Sequence, residues 1–170
     1  MKEKSIGLIV MMGVSGCGKS TVGAALAESF NAPFVDGDDL HPESNKQKMA
    51  SGVPLDDSDR EPWLHAICDA AEQTLEEQNV FVVACSALKK TYREQLRTIS
   101  HPVIFVHLHA PQSTIAARQA SRPSHFMPPA LLDSQYQTLE SPAGEPNVIE
   151  LSVEQSVETV VREALVALLA

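Results

Sequence analysis

An α/β fold, with a parallel sheet covered by helices on both faces, is what this sequence predicts, and three observations carry the prediction. Five short apolar runs alternate with helical patterns from one end of the 170 residues to the other, as strand–helix–strand units require. The first of them, Ile6–Met12, is a continuous apolar run, as befits a strand buried on both faces. No internal repeat, low-complexity tract or interdomain linker interrupts the alternation, so one domain over residues 1–170 is expected.

In order, Ile6–Met12 is the first buried strand, followed by a helix in which Val22, Ala25, Leu26, Ser29 and Phe30 recur at helical spacing. Pro33–Val35 is a short strand ending at Asp36. A polar stretch to Asp59 holds a short helix around Ser44–Ala50, stopped by Gly52 and Pro54. Ser58-Asp59-Arg60-Glu61 has the pattern of a reciprocal helix cap, with Pro62 in the first turn and Trp63, Ile67, Ala70, Ala71, Thr74 and Leu75 on one face. Val80–Cys85 is the next strand, and a basic helix runs from about Leu88 to Ile99. Pro102–Leu108 is the fourth strand, with a helix near Ser113–Ala120. Three prolines break Ser121–Pro129 before a helix that reaches about Leu139. Asn147–Leu151 closes the sheet. Ser152-Val153-Glu154-Gln155 then caps a helix with Val153, Val157, Val160, Val161, Ala164, Leu165, Leu168 and Leu169 on its stripe.

Composition narrows the function. The chain is 44% apolar with a net charge of −9, which disfavours a nucleic-acid partner, because neutralising phosphates needs a basic face. Bases do concentrate between Cys85 and Arg122, where Lys89, Lys90, Arg93, Arg97, Arg118 and Arg122 meet one acid, Glu94. A small-anion site and a solvated helix face explain that cluster equally well. No apolar run approaches the ~20 residues of a membrane span, and Met1–Met12 lacks a cleavage site, so a soluble cytoplasmic protein is expected. Cys17, Cys68 and Cys85 are too few and too scattered for a disulfide framework or a zinc ribbon.

One motif carries chemistry. Gly13-Val14-Ser15-Gly16-Cys17-Gly18-Lys19-Ser20-Thr21 fits G-x-x-x-x-G-K-[ST], after a buried strand and opening a helix. Its glycines let successive N–H groups curl around phosphate oxygens at a helix N-terminus. Lys19 is expected to reach the β- and γ-phosphates of a nucleoside triphosphate, and the Ser20 hydroxyl to ligate Mg²⁺. The fold class is accordingly a three-layer P-loop NTPase fold, with a five-stranded parallel sheet and a mobile lid. GTPase signatures are missing, since Asn45-Lys46-Gln47-Lys48 lacks the final Asp of a base reader and no strand leads into D-x-x-G.

The acids come early, as Asp36-Gly37-Asp38 at the carboxyl edge of the second strand, on the side of the phosphate loop. Alternation along an extended segment would turn Asp36 to the Mg²⁺ shell, through water, and Asp38 to an incoming hydroxyl. A turn-capping role for Asp38 or Asp39 is the alternative. Arg118 and Arg122, four apart, can project from one helix face into a lid over about 118–129 and stabilise a transferring phosphoryl group. Asp, Glu and Lys are absent from Ala110–Leu132, which leaves both arginines without local partners. His107 with His109, and Asp56, Asp57 and Asp59, lack metal-site spacing and read as packing and helix-terminus residues.

Asp36-Gly37-Asp38-Asp39-Leu40-His41-Pro42, Asn45-Lys46-Gln47-Lys48-Met49, Gly52-Val53-Pro54-Leu55 and Asp59-Arg60-Glu61-Pro62-Trp63-Leu64 closely resemble the gluconokinases among the small phosphate-loop kinases. Cys85-Ser86-Ala87-Leu88-Lys89, Tyr92-Arg93, His125-Phe126-Met127-Pro128 and Ser134-Gln135 extend the likeness from about Gly7 to Leu151. The fold resembles that of shikimate and adenylate kinases. The resemblance implies transfer of the ATP γ-phosphoryl group to the 6-hydroxyl of D-gluconate, with Mg²⁺, by a homodimer with a hinged lid. His41, Lys46, Arg60, Lys89 and Arg93, together with Asp38, are the candidate acceptor-binding residues, and which base takes the gluconate carboxylate stays open. A kinase for another small acceptor, such as shikimate or adenylyl sulfate, and a non-catalytic nucleotide sensor are the rival readings.

Overall fold

The computed structural model describes residues 6–121 and 129–170. Five strands, β1 (Gly7–Met12), β2 (Phe34–Asp36), β3 (Val80–Ala84), β4 (Val103–His109) and β5 (Val148–Ser152), form one sheet in the order β2-β3-β1-β4-β5. Every pairing is parallel. Seven helices complete the described chain: α1 (Lys19–Ser29), α2 (Glu43–Ala50), α3 (Asp57–Leu75), α4 (Lys90–Leu96), α5 (Gln112–Ala120), α6 (Pro129–Thr138) and α7 (Val157–Leu169).

The pleat of the central strand divides the core. Ile9 and Met11 face one layer with Val22 and Leu26 of α1, Ile115 of α5, Leu132 of α6 and Val160 and Ala164 of α7. Leu8, Val10 and Met12 face the opposite layer with Trp63, Leu64 and Ile67 of α3 and Tyr92 and Leu96 of α4. Successive side chains alternate across a strand, so an unbroken apolar run supplies both layers at once. β1 lies between β3 and β4, and the chain leaves it in one direction for β3 and β2 and in the other for β4 and β5. That reversal opens a crevice at the carboxyl ends of the strands.

Three local expectations need correction. The reciprocal cap of α3 uses Asp56 and Asp59, not Ser58, each side chain accepting from the other's backbone N–H at 2.8 and 3.0 Å. Pro62 therefore falls inside the helix, where its missing N–H frees the carbonyl of Ser58, an exposed residue. Ser152 does not cap α7, because it ends β5 in register with His109, and Ser156 caps the helix by accepting from Thr159 N–H. Asp36 and Asp38 are not neighbours along an extended strand. Asp36 caps a 3₁₀ turn, Gly37–Leu40, and its carboxylate accepts the Asp38 N–H at 3.0 Å.

Candidate active site

The loop 13–21 leaves the carboxyl end of β1 and becomes α1. Gly18 holds the N-cap at φ 95°, left-handed backbone that glycine adopts without a Cβ penalty. No side chain caps α1 and no acid stands in its first turn. Its leading N–H groups are thus left for an anion, which the helix dipole also favours. Lys19 Nζ lies 3.0 Å from the carbonyls of Gly13 and Val14, folded across the loop. This combination of free amides and a poised ammonium fits a polyphosphate.

Ser20 Oγ donates to Asp36 Oδ2 at 2.8 Å. A hydroxyl and a carboxylate oxygen converging beside a phosphate cradle have the chemistry to supply the sparse protein share of a Mg²⁺ shell. Among the described residues no cluster of three or more His, Cys, Asp or Glu could hold a metal by itself. Asp38, one 3₁₀ step beyond, has its carboxyl pKa raised by its enclosed setting, then by Asp36, with Lys19 opposing and Asp39 adding a little. Its side chain is nonetheless 80% accessible at the cleft mouth, so water screens the effect.

Residues from α2, α3 and α4 build the wall beyond Asp38. His41 stacks on Trp63 with ring centroids 4.1 Å apart, and Trp63 Nε1 donates to Gly37 O at 2.7 Å, pinning the acidic turn to α3. Burial first, then Arg60 and Lys46, lower the His41 pKa to about 4. The imidazole is therefore neutral near pH 7. Asn45 Nδ2 contacts His41 Nδ1 at 3.2 Å and donates to Asp59 O at 2.7 Å. Nδ1 is then the acceptor, and the ring proton sits on Nε2, 3.9 Å from Asp38 Oδ1. Arg60 donates to Tyr92 Oη at 3.1 Å, Tyr92 donates to Asp57, and Lys89 lies 2.9 Å from the same Asp57 oxygen. Lys89 is thus neutralised by a carboxylate, whereas Arg60 meets only a phenol in that network. Lys46 is exposed on α2.

A cavity of about 270 Å³ opens on the other side of the loop, between Gly16, Thr21, Arg118, Val153, Gln155 and Val157. Arg118 donates to the carbonyl of Val153, so it does have a partner, supplied by the segment after β5 and not by its own neighbourhood. It lines this cavity, which the sequence did not disclose. Arg122, the His125-Phe126-Met127-Pro128 block and most of the segment 118–129 lie outside the described residues.

Arg93 is a correction. Its side chain is wholly buried, and its guanidinium serves Ala87 O, Leu88 O, Glu140 O and both oxygens of Glu145. All five donors are engaged, so Arg93 ties α4 to the segment before β5 and cannot meet an acceptor. His107 is buried with Nδ1 3.3 Å from Glu150 Oε1. Sequence reasoning found Lys19, Ser20, Asp36 and Asp38 by spacing. It gave no role to Tyr92, Gln119 or Gln135 and saw in Asp57 only a helix-terminus acid; their contacts cross 32 to 120 positions.

Comparison with known proteins agrees with this geometry. A family model described as an AAA domain (AAA_33) matches residues 8–142. The thermosensitive gluconokinase of Escherichia coli K12 is 42% identical over 162 residues, covering 95% of this chain and 87% of that protein. The crystal structure of a gluconokinase from Sinorhizobium meliloti 1021 superposes with a TM-score of 0.90 at 46% identity, over 98% of this chain and 94% of the other. Shikimate kinase from Aquifex aeolicus, at 20% identity and a TM-score of 0.60 over 95% of each chain, shares the fold. With likeness this high over nearly the whole chain, the chain belongs to the gluconokinase family of P-loop kinases.

Proposed function

We propose that the chain transfers the γ-phosphoryl group of ATP to the 6-hydroxyl of D-gluconate, giving 6-phosphogluconate and ADP. The observation that carries this reading is the grouping of Ser20, Asp36 and Asp38 beside the phosphate loop, with Arg60, bonded to the Tyr92 phenol, beyond His41. Lys19 and the leading amides of α1 hold the β- and γ-phosphates. Ser20 and Asp36, the latter through water, fit Mg²⁺, which when bound offsets the charge of the phosphate oxygens. Asp38 accepts the hydroxyl proton as the acceptor oxygen bonds to phosphorus and the bond to ADP breaks. Its raised pKa makes it a somewhat stronger proton acceptor than an ordinary aspartate.

Arg60 is the base we assign to the gluconate carboxylate, because its fork can grip two oxygens and Lys89 is already paired with Asp57. Lys46 adds charge at the same end, and His41 Nε2–H faces the hydroxyls. Arg118 is placed beside the nucleoside, in the cavity it lines, and Arg122 is assigned to the transferring phosphoryl group. The segment 118–129 serves as the lid of a single kinase domain. Among the described residues no helix is long and apolar enough to cross a membrane, and a cytoplasmic homodimer is the proposed setting.

A coupled assay of ADP release with ATP and Mg²⁺, across gluconate, shikimate, adenylyl sulfate and no acceptor, tests this function. Release that depends on gluconate supports it. Preference for another acceptor, or acceptor-independent binding alone, overturns it.

A further inference from the structure

Two glutamines that take no part in the transfer hold opposite ends of one residue in the phosphate loop. Ser15 donates its backbone N–H to Gln135 Oε1 at 2.6 Å, and its carbonyl accepts from Gln119 Nε2 at 3.0 Å. The two side chains come from α6 and α5, 120 and 104 positions away. Gln119 is seated closely. A Cβ at Gly16, where φ is 85°, would stand 2.9 Å from its Nε2. The frame behind Gln135 is firm as well, since Leu132 is buried, Tyr136 Oη donates to Ala110 O at 3.0 Å, and Gln112 bonds Asp133 to join α5 to α6.

A loop with glycines at 13, 16 and 18 has wide backbone freedom, and its N–H groups converge on phosphate only when its peptide planes are fixed. The backbone bonds on either side of Ser15 are long, 3.2 Å from Gly13 N to Ser86 O beyond β3 and 3.3 Å from Cys17 N to Val14 O. The bond to Gln135 is shorter than either and grips the apex between them. A neutral amide oxygen can do this beside a polyphosphate, where a carboxylate would repel it.

We propose that Gln135, backed by Gln119, is a positioning residue of the nucleotide site, orienting the Ser15 peptide so that the amides of the following residues aim at phosphate. The proposal rests on the reading of the loop as a nucleotide cradle. Gln135→Leu removes the acceptor, and Gln135→Glu keeps its shape while adding charge. Both are measured by calorimetric titration with ADP without acceptor, and by KM for ATP and for gluconate. For Gln135→Leu, the ADP Kd and the KM for ATP rise about tenfold, the scale of one hydrogen bond, while the KM for gluconate stays within about twofold. Gln135→Glu weakens ADP at least as much. Unchanged ADP affinity in either variant, or an equal rise of both KM values, overturns the proposal. Should the leucine variant not fold, the isosteric glutamate variant decides alone. Wild-type protein without measurable ADP affinity would instead remove the nucleotide reading itself.

Discussion

Asp38 is where function and stability pull apart. Its carboxyl pKa is raised in the fold by its enclosed setting and by Asp36. The folded chain therefore holds that proton more tightly than the unfolded one, and the ionised form present at neutral pH costs stability. Asp38→Asn is expected to cut turnover by roughly 10²–10⁴-fold, as for loss of a general base, while its thermal midpoint rises slightly. Near-normal turnover would remove Asp38 from proton transfer. His41 runs the opposite way. Its pKa is lowered to about 4, so the stability that its neutral form supports is complete above about pH 6.5 and drains as pH falls toward 4. At about 1.4 kcal/mol per unit, the loss from pH 7 to 4.5 approaches 2–3 kcal/mol. His41→Phe keeps a ring on Trp63 without the proton, and unfolding free energies from urea titration at the two pH values should then differ by about 2 kcal/mol less than in the wild type; equal losses would contradict the burial argument. The spacing of Asp36 and Asp38 was legible because it is local. The 3₁₀ turn was not, since it depends on which N–H the Asp36 carboxylate chooses.

At the scale of elements, what sequence periodicity exposes is the side facing the sheet, and what it hides is the seam between helices. The α3 face carrying Trp63, Leu64, Ile67 and Ala71 was readable from spacing. Its start was misread by two residues because Ser58 and Asp56 both begin capping patterns. Lys48, 2.6 Å from Asp59, holds the acid that completes the Asp56 box. The anchoring of α4 was invisible for a different reason: Arg93 looks like a surface base until Glu145, 52 positions on, meets it. Arg93 first, and then Arg97, hold the Glu145 carboxyl below its ordinary value. Its contribution is thus present above that ordinary value and lost as pH falls through the lowered one. Glu145→Gln leaves a fully buried guanidinium without a counter-charge, which should lower unfolding free energy by about 3–5 kcal/mol in urea titration. A loss below about 1 kcal/mol would mean that the three carbonyls on Arg93 suffice.

Across the whole molecule, the order β2-β3-β1-β4-β5 explains why residues scattered along the chain act at one place. Both chain reversals leave β1 at the centre, so the phosphate loop, the acidic turn after β2 and the segments after β3 and β4 all emerge along one edge. The parallel alternation was legible because apolar runs and helical patterns take turns along the chain. Which strands neighbour which was not, because β1 and β3 are buried throughout and carry no alternation that would mark their partners. In the function proposed above, the layout also separates two binding halves. The nucleotide meets the loop and α1, whereas Arg60, Lys46 and His41 belong to α2, α3 and the turn before them. Ligands that bind only the folded chain stabilise it independently when they share no contacts. ADP at a hundred times its Kd should add about 2.7 kcal/mol, or roughly 5–10 °C for a domain of this size. Lys19→Ala should lose most of that shift and keep the smaller one produced by gluconate alone. An ADP shift that survives intact in Lys19→Ala would place the nucleotide elsewhere, and loss of the gluconate shift in the same variant would show that the two halves form one cooperative site.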